Sequence, residues 1–143
     1  MQTDEQTPIP GLAPAFEFLV ERGAPVELGD LAIGGRRTHV PVMGGSVEGE
    51  ELSGQLVGGA ELLFERADGV TVVEASYLLR TGDGHAVRAF GQGYRTQTGE
   101  FAGTRLTLLF EADEAGPLAG LCAAAFVAEA MPDAALLSIA RIV

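Results

Sequence analysis

Two Asp-Gly dipeptides, Asp68-Gly69 and Asp83-Gly84, flank the stretch of this chain that most constrains its fold. Between them, residues 70–81 are largely β-branched and aliphatic and contain no proline. Asp-Gly is typical of tight hairpin turns, because glycine takes positive φ angles without steric cost. The pattern predicts a long strand that is paired on both sides in an antiparallel meander.

The length of the turn at Asp83-Gly84 decides the register of the following hairpin. A two-residue turn places Tyr77, Arg88 and Tyr94 on one bulky face, and Phe90 and Gln92 join them there. A three-residue turn slides the register by one residue and exchanges these partners. Both registers are compatible with the sequence.

Glycines at positions 91 and 93 interrupt the second strand of this hairpin. A glycine inside a strand often marks a sharp bend or the close approach of another group. A coiled sheet that closes into a barrel uses such bends.

Short strands separated by glycine pairs continue through the rest of the chain. We interpret Gly44-Gly45 and Gly58-Gly59 as turns. The strands assigned by alternation are residues 12–22, 26–31, 36–43, 55–57, 60–66, 105–111 and 136–143. This rhythm predicts an all-β sandwich or barrel. Residues 118–128 are ambiguous, because their alanines favour a helix while the turn and strand that follow favour a hairpin.

Composition narrows the class of partner. The formal net charge is −11, from 20 acidic residues and nine basic ones, all of them arginine. Such a surface repels phosphate backbones, so we expect no nucleic-acid partner. The longest apolar run, residues 117–128, is too short to cross a bilayer, so we expect no membrane partner.

The expected organisation is a flexible N-terminal arm over residues 1–11 and one domain over residues 12–143. The single cysteine cannot form an intrachain disulfide. The chain starts with polar and acidic residues, without the charged and apolar regions of a signal peptide. We therefore predict a cytoplasmic protein.

Several short motifs together resemble one protein family. They are Gly35-Arg36-Arg37 before an apolar strand, Pro41-Val42-Met43-Gly44-Gly45, Glu48-Gly49, Gly58-Gly59-Ala60, Asp68-Gly69, Glu74-Ala75-Ser76-Tyr77, Asp83-Gly84, Phe110-Glu111 and Phe126-Val127. Over residues 12–143 the chain resembles the bacterial and fungal proteins grouped as domain of unknown function 3237. The resemblance implies a single antiparallel β-barrel of about 8–10 strands with a central cavity. It also implies that residues 118–128 form a strand.

The chain departs from this family at two bulky positions. It has Glu61-Leu62 where relatives tend to have Asp-Trp, and Gly120-Leu121-Cys122 where they tend to have Trp-Leu-Asn. The chain contains no tryptophan at all. The resemblance therefore implies a wider or differently shaped cavity, with Leu62, Gly120, Cys122 and Phe126 among its substrate-binding residues. The role of the family's asparagine does not transfer to Cys122.

The sequence contains no strong catalytic motif. It has no Gly-x-Ser-x-Gly, no P-loop, no dinucleotide fingerprint after a strand and no pair of cysteines. We therefore predict no flavin, nicotinamide or other cofactor. The spacing of His39, His85 and Glu74 is not typical of metal ligands, so we predict no metal.

Tyr77, Arg88 and Tyr94 are the first catalytic candidates. If the bulky hairpin face lines the barrel, they can hold and polarise a carbonyl or phenolate, with Arg88 stabilising negative charge. Phe90 and Gln92 on the same face would then contact the substrate. The alternative is that the tyrosines pack as cross-strand aromatics while Arg88 extends into solvent.

Two further candidates lie outside that group. His39 is an acid/base candidate if its imidazole points into a cavity, and otherwise a surface histidine. Glu74 lies on the opposite face in the two-residue register. It is a general base if burial raises its pKa, and otherwise a solvated carboxylate.

These features lead to the hypothesis of a cofactor-independent isomerase or cyclase that acts on a small hydrophobic metabolite, aromatic or polyketide-like, inside the barrel. Confinement in a reactive conformer accelerates reactions even where catalytic residues are sparse. The alternatives are a non-catalytic binding or carrier barrel and a structural dimer with a filled barrel. Edge strands in small barrels also favour a homodimer.

Overall fold

A computed structural model describes residues 7–100, 102–132 and 134–143. The described chain forms strands and one short 3₁₀ segment, Ala119–Ala123. The strands are β1 (Leu12–Arg22), β2 (Val26–Asp30), β3 (Arg36–Gly49), β4 (Gly54–Glu65), β5 (Thr71–Thr81), β6 (Ala86–Thr96), β7 (Gly103–Ala112), β8 (Phe126–Ala130) and β9 (Leu136–Ile142). No helix in the described part of the chain is long and apolar enough to cross a membrane.

Eight of these strands close into one antiparallel barrel. The order is β1-β9-β8-β7-β6-β5-β4-β3, and β1 pairs with β3 to complete the circle. The remaining strand, β2, pairs with the first part of β3 outside the closed ring. The all-β barrel predicted from the family resemblance is confirmed, with nine strands in the sheet.

The glycine pairs at 44–45 and 58–59 do not form turns, so that interpretation is wrong. Each pair lies inside a single long strand, β3 or β4. Gly45 has a φ of +141°, and a Cβ there would lie 1.9 Å from the carbonyl oxygen of Leu19. Glycine therefore serves at this position to let the neighbouring strand approach closely while the strand continues.

The hairpin of β5 and β6 has a three-residue turn. The Thr81 N–H donates to the His85 carbonyl over 2.9 Å, and the Gly84 N–H donates to the Thr81 carbonyl over 3.0 Å. Gly84 has a φ of +92°, as the last residue of such a loop requires. The three-residue alternative is confirmed.

The observed register separates side chains that the two-residue register placed together. Tyr77 pairs with Ala89, and its side chain is fully buried inside the barrel. Arg88 and Tyr94 are exposed on the outer face, where Phe90 also lies. The prediction that Tyr77, Arg88 and Tyr94 share one face is wrong, because one extra turn residue inverts every partner on β6.

Residues 118–128 form a strand only at their end. The 3₁₀ segment occupies Ala119–Ala123, and β8 begins at Phe126. The strand implied by the resemblance is therefore wrong for the first half. The helical turn places Leu121, which is 1% exposed, against the core at one end of the barrel.

The ends of the chain meet at the sheet. Gly11 and Val143 exchange two backbone hydrogen bonds of 2.9 Å each. The last residue of the predicted flexible arm is therefore fixed to the terminus of the final strand. Residues 1–6 of that arm lie outside the described residues.

One end of the barrel is filled by aromatic rings. Phe16, Phe110 and Phe126 contact one another with ring centroids 5.0 to 5.6 Å apart, and Leu121 packs beside them. We call this cluster the aromatic end. Toward the opposite end the inward residues include a group of polar ones: Arg22, Glu61, Tyr77, Arg95 and Thr104. We call that cluster the polar end.

Candidate functional site

The alternation of side chains along the strands points the residues of the polar end into the barrel. On β1 the buried residues Phe18 and Val20 are followed, two residues later, by Arg22. On β6 the same alternation brings Arg95 to the end of the strand that contains buried Ala89. Successive side chains of a strand point to opposite faces, so a charged residue two positions after buried ones continues the inward row.

Arg22 and Glu61 form a bidentate ion pair. Nε of Arg22 donates to Oε1 of Glu61 over 2.7 Å, and Nη2 donates to Oε2 over 3.0 Å. Nη1 of Arg22 donates to the carbonyl of Ala134 over 2.8 Å. The Glu61 side chain is 4% exposed and that of Arg22 is 24% exposed. The guanidinium is therefore the part of the pair that meets solvent.

Tyr77 joins the Arg22–Glu61 pair through a hydrogen bond to Glu61. Its hydroxyl donates to Oε2 of Glu61 over 2.5 Å. Its ring packs edge-on against Phe18, with the centroids 5.8 Å apart. Tyr77 is thus fixed between the apolar core and the carboxylate.

The ionisation states of the cluster follow from these contacts. Burial alone would raise the pKa of Glu61, but hydrogen bonds from Arg22 and Tyr77 and the charges of Arg22 and Arg95 leave that pKa below its usual 4.5. Burial raises the pKa of Tyr77 well above its usual range, and the negative charge of Glu61 adds to this. The hydrogen bond with Glu61 raises the pKa of Arg22. Near neutral pH the cluster therefore contains an ionised carboxylate and a neutral phenol.

Arg95 brings a second positive charge to the polar end. Its Nε donates to the hydroxyl of Thr104 over 2.9 Å, and Thr104 is 5% exposed. The charge of Arg95 contributes to the lowered pKa of Glu61. Two guanidinium groups therefore accompany one carboxylate.

The outer face of the barrel brings together six of the residues singled out from the sequence. They line a recess of about 700 Å³ that we call the outer groove: His39, Leu62, Glu74, Arg88, Phe90 and Gln92. Arg88 donates to Ser76 over 3.0 Å and to Glu111 over 3.0 Å, and it lies over the ring of Phe90 at 4.5 Å. The groove combines an apolar floor with several polar groups.

A second groove of about 990 Å³ lies beside it on the outer face. Tyr94 and Gln92 form part of its wall, together with Arg105 and Glu129. Arg66 lies over the ring of Tyr94 at 5.8 Å. Tyr94 is therefore a surface residue of this groove and is far from the interior partners of Tyr77.

The remaining predicted residues lie at or near the aromatic end. Phe126 is 1% exposed and belongs to the ring cluster. Cys122 is exposed, and its thiol lies 3.8 Å from the Ala112 carbonyl. Gly120 is exposed, with open space where a side chain would begin. Leu62 and Gly120 therefore do not border one interior space, and the substrate-binding roles of these residues stay predictions.

His85 and Asp83 lie at the exposed hairpin turn, with Nε2 of the histidine 3.6 Å from the carboxylate. Among the described residues, no three His, Cys, Asp or Glu side chains are grouped closely enough to hold a metal ion. The predicted absence of a cofactor and of a metal stays a prediction.

Sequence reasoning missed Arg22, Arg95 and Thr104, and it considered Glu61 only as a departure from the family. A signal was present for Arg22, which continues the inward row of Phe18 and Val20. Glu61 carried no such signal, because the β-bulge between Leu56 and Gly58 shifts the pairing of β4 with β5. A bulge of this kind defeats period-two counting.

Comparisons with known proteins decide the family. The family model described as "Protein of unknown function (DUF3237)" matches residues 10–133. The chain belongs to this family. A UPF0311 protein of Clostridium acetobutylicum is 31% identical over 87 residues, which cover 60% of this chain and 55% of that protein. One from Rhodopseudomonas palustris is 33% identical over 81 residues, covering 56% and 52%. The matched part thus spans about half the length of these curated relatives.

Solved structures share the fold of this DUF3237 member. A beta-barrel like protein from Acinetobacter baumannii has a TM-score of 0.83 and 24% identity, over 97% of this chain and 98% of that one. A structure described as an enzyme from Penicillium herquei has a TM-score of 0.81 and 18% identity, over 99% and 100%. At these identities the likeness shows the fold alone.

Proposed function

We propose that this DUF3237 protein is a cofactor-independent isomerase or cyclase for a small hydrophobic metabolite, aromatic or polyketide-like, and that the chemistry takes place at the polar end. The observation that carries the proposal is the buried cluster of Arg22, Glu61 and Tyr77. Burying two charges costs several kcal/mol per ion, and apolar residues of similar size would often stabilise a fold as well or better. Buried, strongly perturbed titratable groups in this arrangement are typical of functional sites.

The order of these hydrogen bonds supports a proton relay through Tyr77 and Glu61. Tyr77 donates its proton to Glu61, so its oxygen keeps lone pairs that can accept a proton from a substrate hydroxyl or an acidic C–H once the substrate reaches this buried group. As Tyr77 receives that proton it passes its own to Glu61, and the phenol never becomes a phenolate. This matters because the pKa of Tyr77 is raised. The same relay returns the proton to a different atom of the substrate, so the product is an isomer.

The low pKa of Glu61 sets the condition for this transfer. Because Arg22 helps to lower the pKa of Glu61, protonation of Glu61 becomes easier when Arg22 gains another negative partner. The enolate or phenolate that forms on the substrate supplies that partner. The greater exposure of Arg22 supports a role for it in stabilising this developing charge.

Confinement would supply the rest of the rate acceleration. Holding a flexible substrate in a reactive conformer removes about 7 to 11 kcal/mol of barrier at best. The Penicillium herquei neighbour, described as an enzyme, supports the view that this barrel shape is compatible with catalysis.

The test is turnover of a panel of phenolic and β-dicarbonyl polyketide-like compounds, with products of unchanged mass separated by chromatography. Glu61→Gln and Tyr77→Phe should each lower kcat by about a hundredfold or more, as loss of a general acid or base does. Glu48→Gln, an exposed carboxylate of β3, is the matched control and should turn over normally. Full activity in both folded cluster variants would overturn the proposal.

A non-catalytic binding or carrier function is the second candidate, and the outer groove favours it. Apolar walls with a few polar groups are typical of small-molecule sites. The groove supplies Leu62 and Phe90 as walls and His39, Glu74 and Arg88 as polar groups. For a carrier, Arg88→Met should weaken ligand binding while Tyr77→Phe leaves it unchanged. The proposed enzyme predicts instead that Arg88→Met leaves binding and turnover unchanged and that Tyr77→Phe lowers turnover, measured with the same panel.

A further inference from the structure

Among the described residues, the charges of the polar end do not balance. Arg22 and Arg95 each carry a positive charge, Glu61 carries a negative one and Tyr77 is neutral. The cluster therefore has a net charge of +1 in a chain whose net charge is −11. Removing a cation from water costs free energy that a bound negative charge would offset, so this excess positive charge favours an anionic ligand.

Glu61 is already engaged by Arg22 and Tyr77, and it forms no ion pair with Arg95. Both of its oxygens accept from Arg22, and one also accepts from Tyr77. In the described part of the chain, no carboxylate lies within ion-pair distance of the Arg95 guanidinium. The carboxylate of Glu61 thus pairs directly with Arg22, and Arg95 acts on it only from beyond ion-pair distance.

Arg95 also keeps most of its hydrogen-bonding capacity. A guanidinium has five N–H donors in a planar fork. In Arg95, Nε donates to Thr104, and Nη1 and Nη2 have no protein acceptor among the residues that the structure describes. Those two nitrogens form a flat pair of donors on a side chain whose charge acts on Glu61. Planar oxyanions fit that geometry.

We infer that the polar end binds its ligand as an anion, with a planar oxyanion on Nη1 and Nη2 of Arg95. The ligand class is a small organic molecule with an apolar body and one carboxylate or enolised β-dicarbonyl group. This rests on the proposed function for the reaction, but the anion site itself stands on the geometry of Arg95. Arg95 selects and positions the ionised ligand, while Glu61 and Tyr77 transfer protons.

The experiment compares matched probes that differ only in charge. The affinities of 2-naphthoate and 2-naphthamide, and of benzoate and benzamide, are measured with the wild-type protein by calorimetry at pH 7. At least one carboxylate should bind about tenfold or more tightly than its amide, as expected for charge-assisted bonds. Equal affinities in both pairs would overturn the inference.

Variants then locate the anion. Arg95→Gln should reduce the preference for the carboxylate to about threefold or less, and Arg95→Lys should restore part of it. Arg80→Gln is the control and should keep the preference for the carboxylate. Arg80 is an exposed arginine near the end of β5, whereas Arg95 pairs with Thr71 at the start of that strand. A preference that survives Arg95→Gln would place the anion elsewhere and contradict the inference. If Arg95→Gln fails to fold, the wild type is titrated with the carboxylate and followed by NMR. The backbone amide resonances of Arg95 and Thr104 should then shift, and unchanged resonances would contradict the inference.

One further variant separates this inference from the proposed function. Glu61→Gln should keep the preference for the carboxylate and lose turnover. If Glu61→Gln keeps turnover while Arg95→Gln loses the preference for the carboxylate, the anion site is supported and the proton relay is contradicted. If Glu61→Gln loses turnover while Arg95→Gln keeps the preference, the relay stands and the anion site fails.

Discussion

The aromatic end and the polar end occupy opposite ends of one barrel but contribute to it differently. At the aromatic end, three phenylalanine rings and Leu121 bury apolar area, which stabilises the fold in proportion to that area. At the polar end, the ion pair of Arg22 and Glu61 must offset a large desolvation cost before it contributes anything. The comparison indicates that the aromatic end maintains the fold, while the polar end is retained for chemistry.

The largest expected effect on stability is at the aromatic end. Phe110→Ala removes a ring that contacts both other phenylalanines, and it should lower the free energy of unfolding by about 3–5 kcal/mol. Leu109→Ala is the matched control on the same strand, because Leu109 is 47% exposed and its loss should cost less than about 1 kcal/mol. Urea unfolding measures both. Similar losses in the two variants would mean that the rings do not anchor this end.

A single change at the polar end should be the next most destabilising. Glu61→Gln leaves the guanidinium of Arg22 without its counter-charge and should cost about 2–3 kcal/mol, reduced from the fully buried case because Arg22 is partly exposed. Tyr77→Phe removes only one hydrogen bond and should cost about 1 kcal/mol. The same unfolding measurement ranks them, and a larger loss in Tyr77→Phe would contradict the assigned roles.

The pH dependence of stability sharpens the comparison. The pKa of Glu61 is lower in the folded protein than its usual 4.5. Its stabilising contribution is therefore present above that value and is lost as the pH falls through the folded pKa. Between about pH 5 and pH 3, the wild type should lose more unfolding free energy than an Arg22→Met/Glu61→Leu variant. Equal losses of unfolding free energy in the wild type and the variant would show that the pKa of Glu61 does not change on folding.

Exposed carboxylates also titrate in this pH range but do not confuse the comparison. The hydrogen bond from Arg66 lowers the pKa of Asp68 to about 2, and the hydrogen bond from Thr81 lowers that of Asp83. Both residues are present in the wild type and in the variant. Their contributions therefore cancel in the difference.

The smallest expected effect is on the outer face. Arg88 forms an exposed ion pair with Glu111, and such pairs contribute about 0–1 kcal/mol. Arg88→Met keeps the apolar stem and should change the free energy of unfolding by less than about 0.5 kcal/mol. A loss above 2 kcal/mol in urea unfolding would show that the outer groove has a structural role that its exposure does not indicate.

The sequence predicted the barrel well because its information is local. The Asp-Gly turns, the alternating strands and the motifs of the family resemblance all describe neighbours along the chain. The register of β5 and β6 was less accessible, since it depends on whether Gly82 belongs to the turn. That single residue decides whether Arg88 or Ala89 faces the interior.

The candidate site was harder to predict, because its members are far apart in the chain. Arg22 and Glu61 are separated by 39 residues and meet only after β1 and β4 curl into the same barrel. Neither the composition of the chain nor the spacing of its residues predicts that contact. Tyr77 was identified as a catalytic candidate, but its partner in the structure is Glu61 and not Arg88.

The central claim is that the polar end is kept for function at no benefit to stability. It is tested most directly by replacing the whole cluster, Arg22→Met/Glu61→Leu/Tyr77→Phe, and by measuring the free energy of unfolding and turnover on the same sample. We expect stability within about 1 kcal/mol of the wild type or above it, because apolar replacement of a buried ion pair is often neutral or stabilising. Turnover should fall by about a hundredfold or more. A folded triple variant that keeps wild-type turnover, or one that loses more than about 3 kcal/mol of stability, would contradict the account.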